Sequence, residues 1–160
     1  MAERAPGVSQ YGSVDPAPPE PKGNATSWSE VLMDEQAPMF QRMRTVFSLR
    51  NEGSDEACLA LCGAFVTRSA LLRHELAYVL GQMQNPVALP TLVERLQDEN
   101  EHIMVRHEAA EAMGAIGHAS SKPVLEAHLS DPHPEVAESC EVALDLLKWC
   151  ESPQWEKTTW

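Results

Sequence analysis

Residues 72–83 read LRHELAYVLGQM and residues 105–117 read VRHEAAEAMGAIG, and laying the second stretch on the first decides the fold. A shift of 33 residues brings Arg73, His74, Glu75, Ala77 and Gly81 onto Arg106, His107, Glu108, Ala110 and Gly114, five identities in nine positions. Both stretches carry apolar residues at helical intervals, with room between them for one further helix. A helical hairpin recurring at this period implies an all-α protein built as an α-solenoid, because each hairpin buries its apolar face only by stacking on its neighbours.

Working outward, helices are expected at about 28–34, 36–50, 54–66, 70–83, 86–98, 103–116, 121–130 and 134–149, which pair into four helical hairpins. The breaks have local causes. Gly53 follows a helix end, Pro86 suits a first helical turn, and DPHP at 131–134 forces a turn before the last helix. In SWSE, Ser27 is expected to cap the first helix with Glu30 reaching back. The same 33-residue shift lands on FQRMRTVFS (40–48) and SCEVALDLL (139–147), which keep the apolar rhythm but place Gln41 and Cys140 where the histidines were. Gly81 and Gly114 mark positions where helices approach closely or end. Residues 1–26, with Pro6, Pro16, Pro18, Pro19 and Pro21, read as a Pro-rich disordered tail or linker, 27–150 as the repeat domain, and 151–160 as a C-terminal tail.

A chain of 160 residues with 43% hydrophobic content is sized for one domain. No apolar run approaches the roughly 20 residues of a membrane span, and MAERAPGVSQ lacks the apolar core of a secretory signal, so a cytoplasmic protein without a membrane partner is expected. Cys58, Cys62, Cys140 and Cys150 are too irregular for a disulfide framework and read as packing residues. The net charge of −12 argues against nucleic acid. Twelve of the 24 acids lie between Glu94 and Asp145, against Arg95, Arg106 and Lys122, so either a cationic partner meets this face or it is simply a solvated one.

The repeated His-Glu pair needs a chemical reason. Equivalent residues on successive stacked helices sit on axes roughly 8–10 Å apart, near enough for two imidazoles to share a cation. Neighbours on a helix differ by about 100° around the axis, so His107 and Glu108 cannot both face one spot squarely, although the longer carboxylate can swing toward it. His74, His107 and one glutamate would form a two-histidine, one-carboxylate set of the kind suited to ferrous iron and dioxygen; zinc or manganese also accepts such donors. A zinc-protease site is excluded, since the second histidine of H-E-x-x-H is replaced by Tyr78 and Glu111. His102, His118, His128 and His133 lack ligand spacing and are expected on the surface or in loops. The competing reading is a generic helical-repeat consensus whose His and Glu hydrogen-bond locally.

At these residues the chain resembles deoxyhypusine hydroxylase. The stretches that carry the resemblance are YGSVDPAPP, FQRMRTVFSLRN, SALLRHELAYVLGQMQ, MVRHEAAEAMGAIG and ESCEVALDLL, from Tyr11 onward. AAEAMGAIG alone is also similar to non-catalytic HEAT-like repeats of the phycobilin lyase type. The resemblance implies a HEAT-like monooxygenase with a di-iron centre that hydroxylates deoxyhypusine to hypusine on translation initiation factor 5A. It further implies that His74, His107 and Glu108 are Fe(II) ligands and that Glu75 holds the substrate amine. The acidic span then gains a use in steering a basic protein substrate. Members of the family have two such halves, and this chain matches the second, so it carries ligands for one of two irons. Association with a second copy or a complementary half, or a half-length form inactive alone, is the expectation. A non-catalytic HEAT-like interaction scaffold is the alternative, and metal uptake distinguishes the two.

Overall fold

The computed structural model describes residues 4–160, and among them there are eight α-helices and no strand. They are α1 (Ala25–Met33), α2 (Met39–Glu52), α3 (Asp55–Gly63), α4 (Ala70–Met83), α5 (Leu89–Gln97), α6 (Ile103–Ile116), α7 (Lys122–Ala127) and α8 (Pro134–Glu151). Each odd-numbered helix pairs with the even-numbered one that follows, and the even-numbered helices stack α2 on α4, α4 on α6 and α6 on α8. The all-α solenoid of four hairpins is therefore as expected. No helix among the described residues is long and apolar enough to cross a membrane.

The helix starts explain the stacking register. Pro38, Ser69, His102 and His133 are the N-caps of the even-numbered helices. The interval is 33 residues between Ser69 and His102, but 31 between Pro38 and Ser69 and between His102 and His133. The expectation that Gln41 and Cys140 take the histidine places is thus corrected: counting from the caps, Met43 and Glu138 do. The two extra residues lie between the end of α4 and the start of α6, where a uniform shift cannot see them. The capping box of α1 also slides back. Asn24 accepts from the backbone N–H of Ser27 (3.0 Å), and the Ser27 hydroxyl accepts from that of Asn24 (2.9 Å).

Counting from the caps also aligns Arg42, Arg73 and Arg106, which form a ladder. Arg42 donates to the carbonyl of Leu32 and to the Thr67 hydroxyl, Arg73 to the carbonyl of Thr67 and the carboxylate of Glu101, and Arg106 to the carbonyl of Leu96 and the carboxylate of Asp131. Each guanidinium bonds to groups in the loops and helix ends around it, fixing the height at which the next helix begins.

Along the stack the core is built from Leu72, Leu76 and Leu80 of α4, Leu92 and Leu96 of α5, Val105, Ala109 and Met113 of α6, and Val136 and Cys140 of α8, all fully buried. Each large member contributes on the order of 2 kcal/mol of apolar burial. Close approach, rather than helix termination, is the use of the repeated glycines. A Cβ on Gly81 would lie 3.1 Å from the Ala112 backbone, and one on Gly114 would lie 2.8 Å from the Ala143 Cβ. All four cysteines are free, with Cys58 and Cys140 buried.

The stretch expected to be a Pro-rich tail or linker has no regular element before α1, and its residues 1–3 lie outside the described residues. It is nevertheless held to the domain. Asp15 pairs with the fully buried Arg50 of α2 at 2.6 Å, the Glu20 backbone N–H donates to the Ser48 hydroxyl at 2.7 Å, and Ala17 is buried. The Arg50 guanidinium also stacks on the rings of Tyr11 and Phe47. At the other end, residues 155–157 form a short turn and the rings of Trp155 and Trp160 meet.

Candidate metal centre

Ser69 caps α4 by accepting from the Leu72 N–H, and His102 caps α6 by accepting from the Met104 N–H. His74 and His107 each lie five residues beyond these caps, so both emerge at the same level of adjacent helices. The arginines just before them, Arg73 and Arg106, are locked by Glu101 and Asp131 at 2.8 and 2.6 Å. Burial raises the pKa of Glu101, but donation from Arg73, the His102 N–H and Arg95 outweighs it and holds the carboxyl below its ordinary range. Asp131 follows the same pattern, with Arg106 and the His133 N–H overcoming burial.

The result is that His74, His107 and Glu108 converge. The two imidazole centroids are 5.9 Å apart. Glu108, almost buried, places Oε2 3.1 Å from His74 Nε2 and 3.7 Å from His107 Nε2. One donor atom from each of the three lies within 4.8 Å of the other two. Ligands at roughly 2.0–2.2 Å from one ion are at most about 4.4 Å apart, so the set fits a metal after closing by a few tenths of an ångström. Two imidazoles and one carboxylate are donors suited to a divalent transition metal. The hydrogen bond that His74 donates to the Glu108 carboxylate is the main cause raising the His74 pKa, against the opposing effect of burial.

Glu75 is not part of this triangle. Its carboxyl is pushed upward mainly by burial, with Glu108 and Asp15 adding repulsion and His74 and Arg50 pulling the other way. A groove of about 520 Å³ opens beside Glu108, with Tyr11, Tyr78, Glu111, Val142 and Leu146 among its walls.

The other histidines are not brought to the centre. His102 and His118 cap turns through Nδ1, and His128 Nδ1 bonds the Val124 carbonyl. Two site neighbours escaped the sequence reading. Glu111 contacts His107 from one turn further along α6, and Ser139 contacts it from α8. The first was visible as an i, i+4 pair; the second depends on how α8 packs.

Comparison with known proteins finds relatives that share this fold. The HEAT repeats family matches residues 60–145. Deoxyhypusine hydroxylases of Candida albicans and Arabidopsis thaliana are 48% and 55% identical to the chain over 94% and 88% of its length, covering 49% and 45% of their own. The solved structure of human deoxyhypusine hydroxylase in complex with glycerol superposes with a TM-score of 0.86 at 48% identity, over 90% of this chain and 50% of that one. The chain spans about half the length of the curated relatives it matches.

Proposed function

The chain belongs to the HEAT-repeat family, and from that premise we propose that it is one half of an iron-dependent deoxyhypusine monooxygenase, converting deoxyhypusine to hypusine on translation initiation factor 5A in the cytoplasm. The observation that carries the reading is the convergence of His74, His107 and Glu108 from two stacked helices onto one small space. The half-length similarity to deoxyhypusine hydroxylases supports the reaction class.

In this reading His74 and His107 hold Fe(II) through neutral nitrogens and Glu108 adds the anionic donor. The bound iron supplies activation of dioxygen. The chain's own residues bind and orient the substrate. Glu75 receives the ammonium end of the aminobutyl arm, a charge-assisted contact in which its carboxylate gains a cationic partner. The side chains of Tyr78, Val142 and Leu146 along the groove pack the arm's methylenes and exclude water. The acidic span from Glu94 to Asp145 draws a basic protein surface toward the groove.

These residues serve one iron, whereas the complete site takes two. The second ligand set comes from a complementary half or from a second copy of this chain, and the chain alone is inactive. Residues 27–150 act as the catalytic half-domain, with 1–26 as its linker and 151–160 as a tail.

The test incubates the full chain with ferrous iron, a reductant, dioxygen and the deoxyhypusine-bearing factor, with and without the complementary half, and weighs the factor for one added oxygen. The added oxygen is expected only when both halves are present. Absence of product with both halves, together with no iron uptake by the chain, would leave a non-catalytic HEAT-like scaffold.

A further inference from the structure

His107 is held from behind. Its Nδ1 lies 3.2 Å from Oε1 of Glu111 and 3.3 Å from the hydroxyl of Ser139, and that hydroxyl donates to the same Glu111 oxygen at 3.2 Å. Three polar atoms on two helices thus close a triangle at the Nδ1 edge of the ring, while Nε2 lies 3.7 Å from the Glu108 carboxylate. Ser139 is only 6% exposed, so its hydroxyl is fixed by packing of α8, while the Glu111 side chain is half in solvent.

The repeat makes the arrangement legible. Counting from the N-caps, Ser139 of α8 occupies the place that Glu108 occupies in α6. In the middle of the stack this position on the following helix supplies a carboxylate to the His74 Nε2. One hairpin later it supplies a hydroxyl, which reaches the other ring nitrogen of His107. Glu111 has Tyr78 as its counterpart on α4, and the Tyr78 hydroxyl accepts from Gln82 instead. The two histidines are therefore chemically unequal.

We infer that Glu111, seated by Ser139, is a positioning residue that fixes the Nδ1–H tautomer and ring orientation of His107, so that its Nε2 lone pair faces His74 and Glu108. A carboxylate is an acceptor only, so the nitrogen facing it carries the hydrogen. The other nitrogen is then a free donor to metal, the arrangement by which outer carboxylates orient ligating histidines. In this role Glu111 acts through His107 and not on the metal. The inference rests on the assignment of His74, His107 and Glu108 as ligands of one metal.

The experiment takes the full chain and its Glu111→Ala, Glu111→Gln and Ser139→Ala variants, and measures two quantities. Anaerobic equilibrium dialysis with ferrous iron alone gives affinity. Nitrogen NMR of the metal-free chain, at a pH where His107 is neutral, gives its tautomer. Glu111→Ala should bind iron on the order of 10- to 100-fold more weakly and shift His107 toward Nε2–H. Glu111→Gln keeps an acceptor oxygen and should restore much of both, which a purely structural role would not do. Ser139→Ala should lie between. Metal-free melting should hardly change for Glu111→Ala. Parent-like affinity and an unchanged tautomer in Glu111→Ala would overturn the inference. If the parent takes up no iron, the ligand assignment fails and this role falls with it, whereas iron uptake undiminished in Glu111→Ala sinks the positioning role alone.

Discussion

Glu108 sits closer to His74, on the neighbouring helix, than to His107, its own neighbour in the chain: 3.1 Å against 3.7 Å between carboxylate oxygen and Nε2. Adjacent helical residues diverge by about 100°, so His107 and Glu108 approach one point from different directions. Glu108 spans the seam between α4 and α6, and the centre exists only while those helices are stacked.

Substituting either histidine should therefore empty the centre without unfolding the domain. His74→Ala and His107→Ala are each expected to lose iron uptake, because two remaining donors hold a divalent ion poorly. Their helicity should stay near the parent's, since both side chains are partly exposed and contribute little packing. Metal content after dialysis and far-ultraviolet circular dichroism check this. Parent-like uptake by either variant would remove that residue from the ligand set.

The two glycines should respond unequally to alanine. At Gly114 an added Cβ meets the backbone Cα of Ala143 at 2.9 Å, so α6 and α8 must part; Gly114→Ala should lose about 1–3 kcal/mol by overpacking. At Gly81 the nearest atom lies at 3.1 Å, and the gain in helix propensity, roughly 1 kcal/mol, offsets much of the strain. Urea unfolding of the two variants gives the comparison. Equal destabilisation would contradict it.

Arg106→Ala should be among the most damaging single changes. It strips the partner from the buried carboxylate of Asp131 and a donor from the Leu96 carbonyl. Removing one member of a buried pair costs about 3–5 kcal/mol. Replacing Lys148, whose pair with Asp145 is exposed, should cost well under about 1 kcal/mol. Denaturant midpoints at neutral pH separate the two.

Acid should weaken the metal-free domain through the arginine-bound carboxyls. Burial alone would raise Asp15, Glu101 and Asp131, but Arg50, Arg73 and Arg106 respectively bring all three below their ordinary values. Groups with depressed folded values bind fewer protons folded than unfolded, so their stabilisation is complete above the unfolded values of about 4 and is lost as pH falls from there. Midpoints measured from pH 6 to pH 2 should stay level and then drop below about pH 4. Arg106→Ala should flatten that drop; an unchanged acid limb would refute the assignment.

Much of this was readable from the chain itself. Helical spacing, the punctuation at Gly53, Pro86 and DPHP, and the matched His74–Glu75 and His107–Glu108 pairs gave the hairpins and the two imidazoles, because helix formation and breakage are local. What escaped was geometry between helices. A constant 33-residue shift put Gln41 and Cys140 at the histidine positions, whereas the caps put Met43 and Glu138 there.

The sequence by itself determined which residues could bind a metal and that they recur on equivalent helices. Residue pattern alone left either glutamate open and the family resemblance chose Glu108; only the tertiary structure brought Glu108 against both imidazoles and set Glu111 and Ser139 behind His107. The reason is physical. A periodic pattern sets which face a side chain occupies, but loop length, the arginine ladder and the close Gly114–Ala143 approach set the height and separation of one helix against the next.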